Sequence, residues 1–159
     1  MNKTVLGQDK DGNKIEMNIS DLSWRISVYG IVIKDEKILM ISQNFGYSLP
    51  GGGIDLGETI DNAIRREVLD ETGYNVQIKK IIDVQTSFFR HPSFNKDVHA
   101  IRIFFSCEIE SGELNENPDL TPAEKSWNSK PEWVELSELE NIKIGDSADL
   151  VSIIKKSIK

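Results

Sequence analysis

Gly51-Gly52-Gly53-Ile54-Asp55-Leu56-Gly57-Glu58-Thr59-Ile60-Asp61-Asn62-Ala63-Ile64-Arg65-Arg66-Glu67-Val68-Leu69-Asp70-Glu71-Thr72-Gly73-Tyr74 reads as a glycine loop feeding a single helix. Gly51 to Gly53 permit a tight, close-approaching backbone. Thr59 is placed to cap the helix N-terminus, and Gly73 supplies a left-handed residue just past its C-terminus. The helix between them is predicted to run for roughly four turns.

On a wheel at about 100° per residue, Ile60, Ala63 and Ile64 share the face that should meet the core, and Glu67, Asp70 and Glu71 continue it. Asp61, Asn62, Arg65, Leu69 and Thr72 fall opposite, and the wheel sets both Arg65 and Arg66 away from the acidic face. Carboxylates at i, i+3 and i+4 stand about 5 to 6 Å apart at Cβ and repel one another, and partial burial adds a desolvation cost to each. An acidic triplet alone is usually a solvated patch. Here the glycine loop ahead of it and the arginines turned away favour a bound cation. Hard carboxylate oxygens suit Mg²⁺ or Mn²⁺, which keep waters and bridge to phosphate oxygens. No loop has the alternating acidic pattern of a calcium-binding EF-hand.

The same stretch resembles the signature of the Nudix hydrolases. That signature runs Gly, five residues, Glu, seven residues, Arg-Glu, a hydrophobe, any residue, Glu-Glu, any residue, Gly, a hydrophobe. Gly52, Glu58, Arg66-Glu67, Val68, Asp70-Glu71, Gly73 and Tyr74 stand at those positions, with one departure: Asp70 replaces the first Glu of the pair. The resemblance implies a Nudix-type alpha/beta/alpha sandwich, an α/β fold with a mixed β-sheet and a catalytic loop-helix. It implies Glu67 and Glu71 as principal metal ligands and Asp70 as a further or water-mediated one. The Gly51 carbonyl would also reach the metal, Glu58 and Arg66 would be a supporting pair, and Gly52 would face substrate.

The activity it implies is hydrolysis of a nucleoside diphosphate linked to another group. Nucleoside triphosphates, ADP-ribose, dinucleoside polyphosphates and nucleotide sugars all share that diphosphate, and contacts outside the box select among them. The family often takes a catalytic base from a later loop, for which Glu124 is the candidate and an exposed loop carboxylate the equal alternative. Arg25 resembles arginines that contact substrate phosphate. A second reading keeps the fold as a catalytically silent nucleotide or ADP-ribose binding module, with Asp70 as its foothold. A third, removal of diphosphate from RNA 5′ ends, is disfavoured by charge.

That charge is −7, from 26 acidic and 19 basic residues, and does not build the positive field a polymeric nucleic acid requires. The expected partner is a small-molecule nucleotide, and the expected state a monomer or homodimer. The 159 residues suit one domain, 1–159. No apolar run approaches the ~20 residues of a membrane span, and the first residues lack a signal-peptide core, which makes the cytoplasm the expected location. Cys107 is the one cysteine, read as a buried, inert thiol.

Outward from the box, residues 1–20 are predicted to form a hairpin about Asp11-Gly12. Trp24 to Ile33 and Lys37 to Ile41 read as central strands, and Tyr47 to Pro50 as an extended approach to the glycines. Val76 to Ile78 and Ile81 to Phe89 read as strand, residues 90–97 as a loop, and Val98 to Ile109 as the antiparallel partner. Residues 111–131 form a long polar segment expected to be a functional loop, Glu132 to Leu136 a strand, and 148–159 an amphipathic helix burying Leu150, Val151, Ile153, Ile154 and Ile158. Among the aromatics that could stack on a base, Tyr47 and Trp127 are the candidates, while Phe88 and Phe89 are assigned to the core. His99 is read as a structural strand histidine and His91 as an exposed loop residue.

Overall fold

The chain opens with the hairpin that Asp11-Gly12 predicts. β1 (Thr4–Gln8) pairs antiparallel with β2 (Lys14–Asn18), and Gly12 takes φ +84° in the turn. The computed structural model describes residues 3–159, so Met1 and Asn2 of the expected 1–20 hairpin lie outside the described residues. Next come β3 (Ser23–Lys34) and β4 (Lys37–Gln43), reversed by Asp35 and Glu36, both at positive φ. The short strands β5 (Gly46–Ser48) and β6 (Gly51–Gly53) follow, then α1 (Ile60–Thr72). β7 (Tyr74–His91) and β8 (Lys96–Gly112) form a long hairpin. A short helix α2 (Pro122–Ser126), β9 (Lys130–Glu135) and α3 (Leu150–Ile158) complete the fold.

The sheet order is β2-β1-β7-β8-β3-β4-β5, with β6 on β3 and β9 on β4. It is mixed because β3 runs parallel to β8 from Ser23 to Val32 while meeting β4 antiparallel only at its end. The period-two alternation of a strand divides the core between the two sheet faces. On one face Ile31, Ile38, Met40 and Phe104 pack with Leu150, Ile153 and Ile154 of α3. On the other, Val28, Val32, Leu39 and Phe105 pack with Ala63, Ile64 and Val68 of α1. Burial on both faces is why Ile38 to Ile41 is a continuous apolar run.

Several expectations change. The glycines are not a free loop but strand β6, paired with Ser27 to Tyr29. The two segments after α1 are one strand, bent by register shifts at Asn75/Val76, Ile78/Lys80 and Ile81/Asp83, and the 90–97 loop shrinks to Pro92 to Asn95. The long segment is not loop throughout, since it contains α2. In α1, Ile60 is 43% exposed and Thr72 is fully buried. The buried stripe runs through 64, 68 and 72 at helical spacing, so it departs from the wheel direction that Ile60 suggested. Ile158, the last residue of α3, is also exposed.

Candidate active site

The helix α1 is fixed at both ends as its sequence predicts. Thr59 accepts the Asn62 N–H at 3.2 Å, and Gly73 takes φ +85° with its N–H on the Leu69 carbonyl. Strand β6 lies against the carboxylate face of this helix, an approach only glycine permits. Gly51 has φ +149°, and a Cβ there would fall 2.1 Å from the Val28 carbonyl oxygen. A Cβ on Gly52 would fall 2.6 Å from Glu67 Oε1. The Gly51 N–H uses that closeness, donating to Glu71 Oε2 at 2.8 Å.

Arg66 ties the box together. Its Nε and Nη2 fork onto both oxygens of Glu58 at 2.8 and 2.9 Å, while Nη1 donates to Glu67 Oε1 at 2.8 Å. The wheel placed Arg66 away from the acids; its long side chain instead folds back over Glu67, which corrects that expectation. The fork holds the Glu58 carboxyl down to about 2. In return the Glu58 and Glu67 carboxylates raise the proton affinity of the guanidinium further.

Glu67, Glu71 and Glu124 each bring a carboxylate oxygen within 4.8 Å of the others. Glu71 is buried, and desolvation followed by the charge of Glu67 lifts its carboxyl well above the ordinary range. Glu67 is lifted too, by burial first, against the pull of Arg66. Glu124 comes from outside the box, on α2. Thr121 caps that helix and, with Glu124, makes a reciprocal capping box: the Thr121 N–H and hydroxyl both donate to Glu124 Oε2, at 2.7 and 2.8 Å. The segment is latched to the β4–β5 turn, where Asn44 donates to the Trp127 and Ser126 carbonyls and accepts from Asn128. Asp70 stays exposed at the rim, outside the three-carboxylate cluster, although its charge adds to the lifting of Glu67 and Glu71. Three hard oxygen donors that repel one another in a partly dry site fit a divalent cation such as Mg²⁺.

These groups border a cleft of about 1020 Å³. Arg25 lines it from β3, with its guanidinium against Gly53, and among the described residues it forms no ion pair. Trp127 lines it as well, edge-on to Phe45 at 5.8 Å. Tyr47 does not: it packs against the α3-side core, and the Glu132 carboxylate, followed by burial, raises the pKa of its phenol. As a stacking candidate it is corrected, because β5 turns its ring inward. His99 stacks on Trp24 at 4.1 Å, away from the cleft. Cys107 is buried, which pushes its thiol up to about 12 and makes it inert.

Two features escaped the sequence reading. His91, Phe89 and Phe94 line the cleft, because the β7–β8 hairpin brings its tip there. Arg102, 3% exposed, forks onto Asp146 and lies over the Tyr29 ring at 4.6 Å. The signal for Arg102 was present: a cation at an inward position between Ala100 and Phe104 must find a buried partner.

Residues 24–153 match the NUDIX domain. An ADP-ribose pyrophosphatase of Methanocaldococcus jannaschii is 36% identical over 104 residues, covering 62% of this chain and 59% of that protein. The match thus spans less than two thirds of the archaeal relative. A MutT-like protein of Streptomyces ambofaciens is 27% identical over 128 residues, 78% of this chain and 77% of that one. Among solved structures, a NUDIX hydrolase from Nitrosomonas europaea superposes with a TM-score of 0.66 at 20% identity, covering 86% and 89% of the two chains. An ADP-ribose pyrophosphatase from Streptococcus suis gives 0.60 at 18%, over 85% and 92%. These superpositions show the shared fold.

Proposed function

The chain belongs to the Nudix family, and from that premise we propose that it is a Mg²⁺-dependent pyrophosphohydrolase, with Mn²⁺ as the alternative ion. Its substrate is a nucleoside diphosphate linked to another group. The observation that supports this most is the meeting of Glu67, Glu71 and Glu124 within 4.8 Å at the edge of a cleft that also holds Arg25. The functional unit is a single domain.

Glu67, Glu71 and Glu124 would hold the ion, with Asp70 at the rim contributing through water. The chemistry a divalent ion supplies there is neutralisation of the diphosphate and acidification of the attacking water. The chain's own residues do the rest. Arg66 fixes Glu67, the Gly51 N–H fixes Glu71, and Thr121 fixes Glu124. Arg25 takes a phosphate oxygen on the far side. Thr121 occupies Oε2 of Glu124 with two donors, so Oε1 is the oxygen left to face the ion. This substitution at phosphorus is mainly positioning and charge stabilisation.

ADP-ribose is the first substrate to test, because the archaeal relative and the streptococcal structure carry that name. Net charge −7 disfavours a polymeric nucleic acid partner. Among the described residues, no helix is long and apolar enough to cross a membrane. The deciding experiment measures phosphate release, through a coupled phosphatase, from ADP-ribose, nucleoside triphosphates, dinucleoside polyphosphates and nucleotide sugars with Mg²⁺. Turnover by wild type that is lost in Glu71→Gln supports the hydrolase. Absence of turnover with retained nucleotide binding overturns it in favour of a silent binding module.

A further inference from the structure

The cleft extends beyond the carboxylates to a corner built from two hairpin tips. Gln8 pairs in parallel with Phe89, which sets the β1–β2 turn beside the β7–β8 turn. Phe89, His91 and Phe94 line this corner. Their rings stack in turn: His91 and Phe94 lie 4.6 Å apart at 32°, and Phe89 and His91 6.2 Å apart at 37°, which leaves the outer face of Phe94 as the open one. Phe94 is 66% exposed at the tip of the turn. An aromatic face left in water at the mouth of a polar cleft carries a hydration cost that a stacked ring would relieve.

The imidazole suits such a surface. The Ser93 N–H donates to His91 Nδ1 at 3.2 Å, which leaves the ring proton on Nε2. Half-burial, followed by the charge of Arg25, holds its pKa down to about 4, so at neutral pH it is an uncharged plane. Arg25, the cation assigned to phosphate, lines the same cleft as this corner. Elsewhere in the cleft a ring finds less: the Arg102 fork is spent on Asp146, and Trp127, edge-on to Phe45, is less exposed than Phe94.

We propose that Phe89, His91 and Phe94 form the subsite for the planar nucleobase of the substrate, which stacks on the exposed face of Phe94 and extends the column Phe94 makes with His91, with Arg25 on the adjoining phosphate and the acidic centre beyond it. The proposal rests on the diphosphate reading above and adds which end of the cleft receives the base. It selects a nucleobase as a class, because every base has a π-face.

The test uses two non-cleavable probes with Mg²⁺, α,β-methylene-ADP and methylenediphosphonate, which share the phosphorus group and differ by the nucleoside. Binding is measured by calorimetry for wild type, Phe94→Ala, Phe94→Trp and Trp127→Ala, with melting curves to verify folding. Phe94→Ala is expected to weaken α,β-methylene-ADP about tenfold, the range for loss of one base–aromatic stack. It should leave methylenediphosphonate unchanged, and Phe94→Trp should restore binding. The proposal is overturned if Phe94→Ala leaves α,β-methylene-ADP unaffected or weakens both probes equally. It is also overturned if Trp127→Ala produces the loss instead, or if wild type does not bind α,β-methylene-ADP. Failure of the diphosphate reading has its own signature: binding of α,β-methylene-ADP that depends on Phe94, without any Mg²⁺-dependent binding of methylenediphosphonate.

Discussion

Glu124 Oε2 receives both the backbone N–H and the hydroxyl of Thr121, while the Thr121 hydroxyl oxygen accepts the Glu124 backbone N–H. This pair caps a five-residue helix and at the same time orients a carboxylate 53 residues beyond Glu71 in the chain toward the acidic centre. Thr121→Val keeps the backbone bond and removes the hydroxyl. Partners that orient a metal ligand are worth about 10- to 100-fold when lost. The variant is expected to lower kcat at least tenfold and to raise the Mg²⁺ concentration for half-maximal rate, while Thr121→Ser stays near wild type. Steady-state kinetics over a Mg²⁺ titration measures both.

Gly52 lies so close to Glu67 that a Cβ would meet Oε1 at 2.6 Å. Gly52→Ala must displace a carboxylate already held by Arg66. Expected is a loss of Mn²⁺ affinity of about tenfold or more, with melting temperature little changed. Mn²⁺ titration by electron paramagnetic resonance reads the first, and circular dichroism the second.

Glu58 is a carboxylate whose folded pKa, about 2, lies below its unfolded value. Such a group adds stability above the unfolded value of about 4.3 and loses it as pH falls toward 2. Wild type is therefore expected to melt above Glu58→Gln at pH 6, with the gap closing through the window from about pH 5 to pH 2. A gap independent of pH would sink this account of the Glu58–Arg66 fork.

Glu67 and Glu71 have the opposite sign. Both carboxyls bind their proton more tightly in the folded chain, so their contribution is intact below the unfolded value of about 4.3 and is lost as pH rises toward the raised folded values. In chelator, Glu71→Gln should melt higher than wild type at pH 8, by a few degrees, since 1 kcal/mol moves a domain of this size by roughly 2 to 4 °C. Adding Mg²⁺ should raise the wild type and leave the variant nearly unmoved. A wild type that melts identically with chelator and with saturating Mg²⁺ would show that these acids hold no ion.

Much of the centre was legible because its signals are local. Thr59, Gly73 and the pair Ala63 and Ile64 act within a turn or two of helix, and the spacing from Gly52 to Tyr74 puts Glu67 and Glu71 on one face without any knowledge of the sheet, although Ile60 and Asp70, grouped with them on the wheel, are exposed. The Asp11-Gly12 turn was legible for the same reason. Glu124 was nameable through family likeness, yet its place beside Glu67 depends on Asn44 holding the Trp127 carbonyl, a contact across 83 residues.

The sequence by itself determined the helix, its caps, the acidic run and the presence of two buried strands, because these follow from backbone propensities and short-range periodicity. Only the tertiary structure decided that Arg66 folds over Glu67, that Tyr47 turns into the core, and that Arg102 spends its charge on Asp146. It likewise decided that the β7–β8 tip reaches the cleft with His91 and Phe94. Each of these depends on strand order and register, which set which distant residues share a face, and that information is spread over the whole sheet and not written in any one stretch.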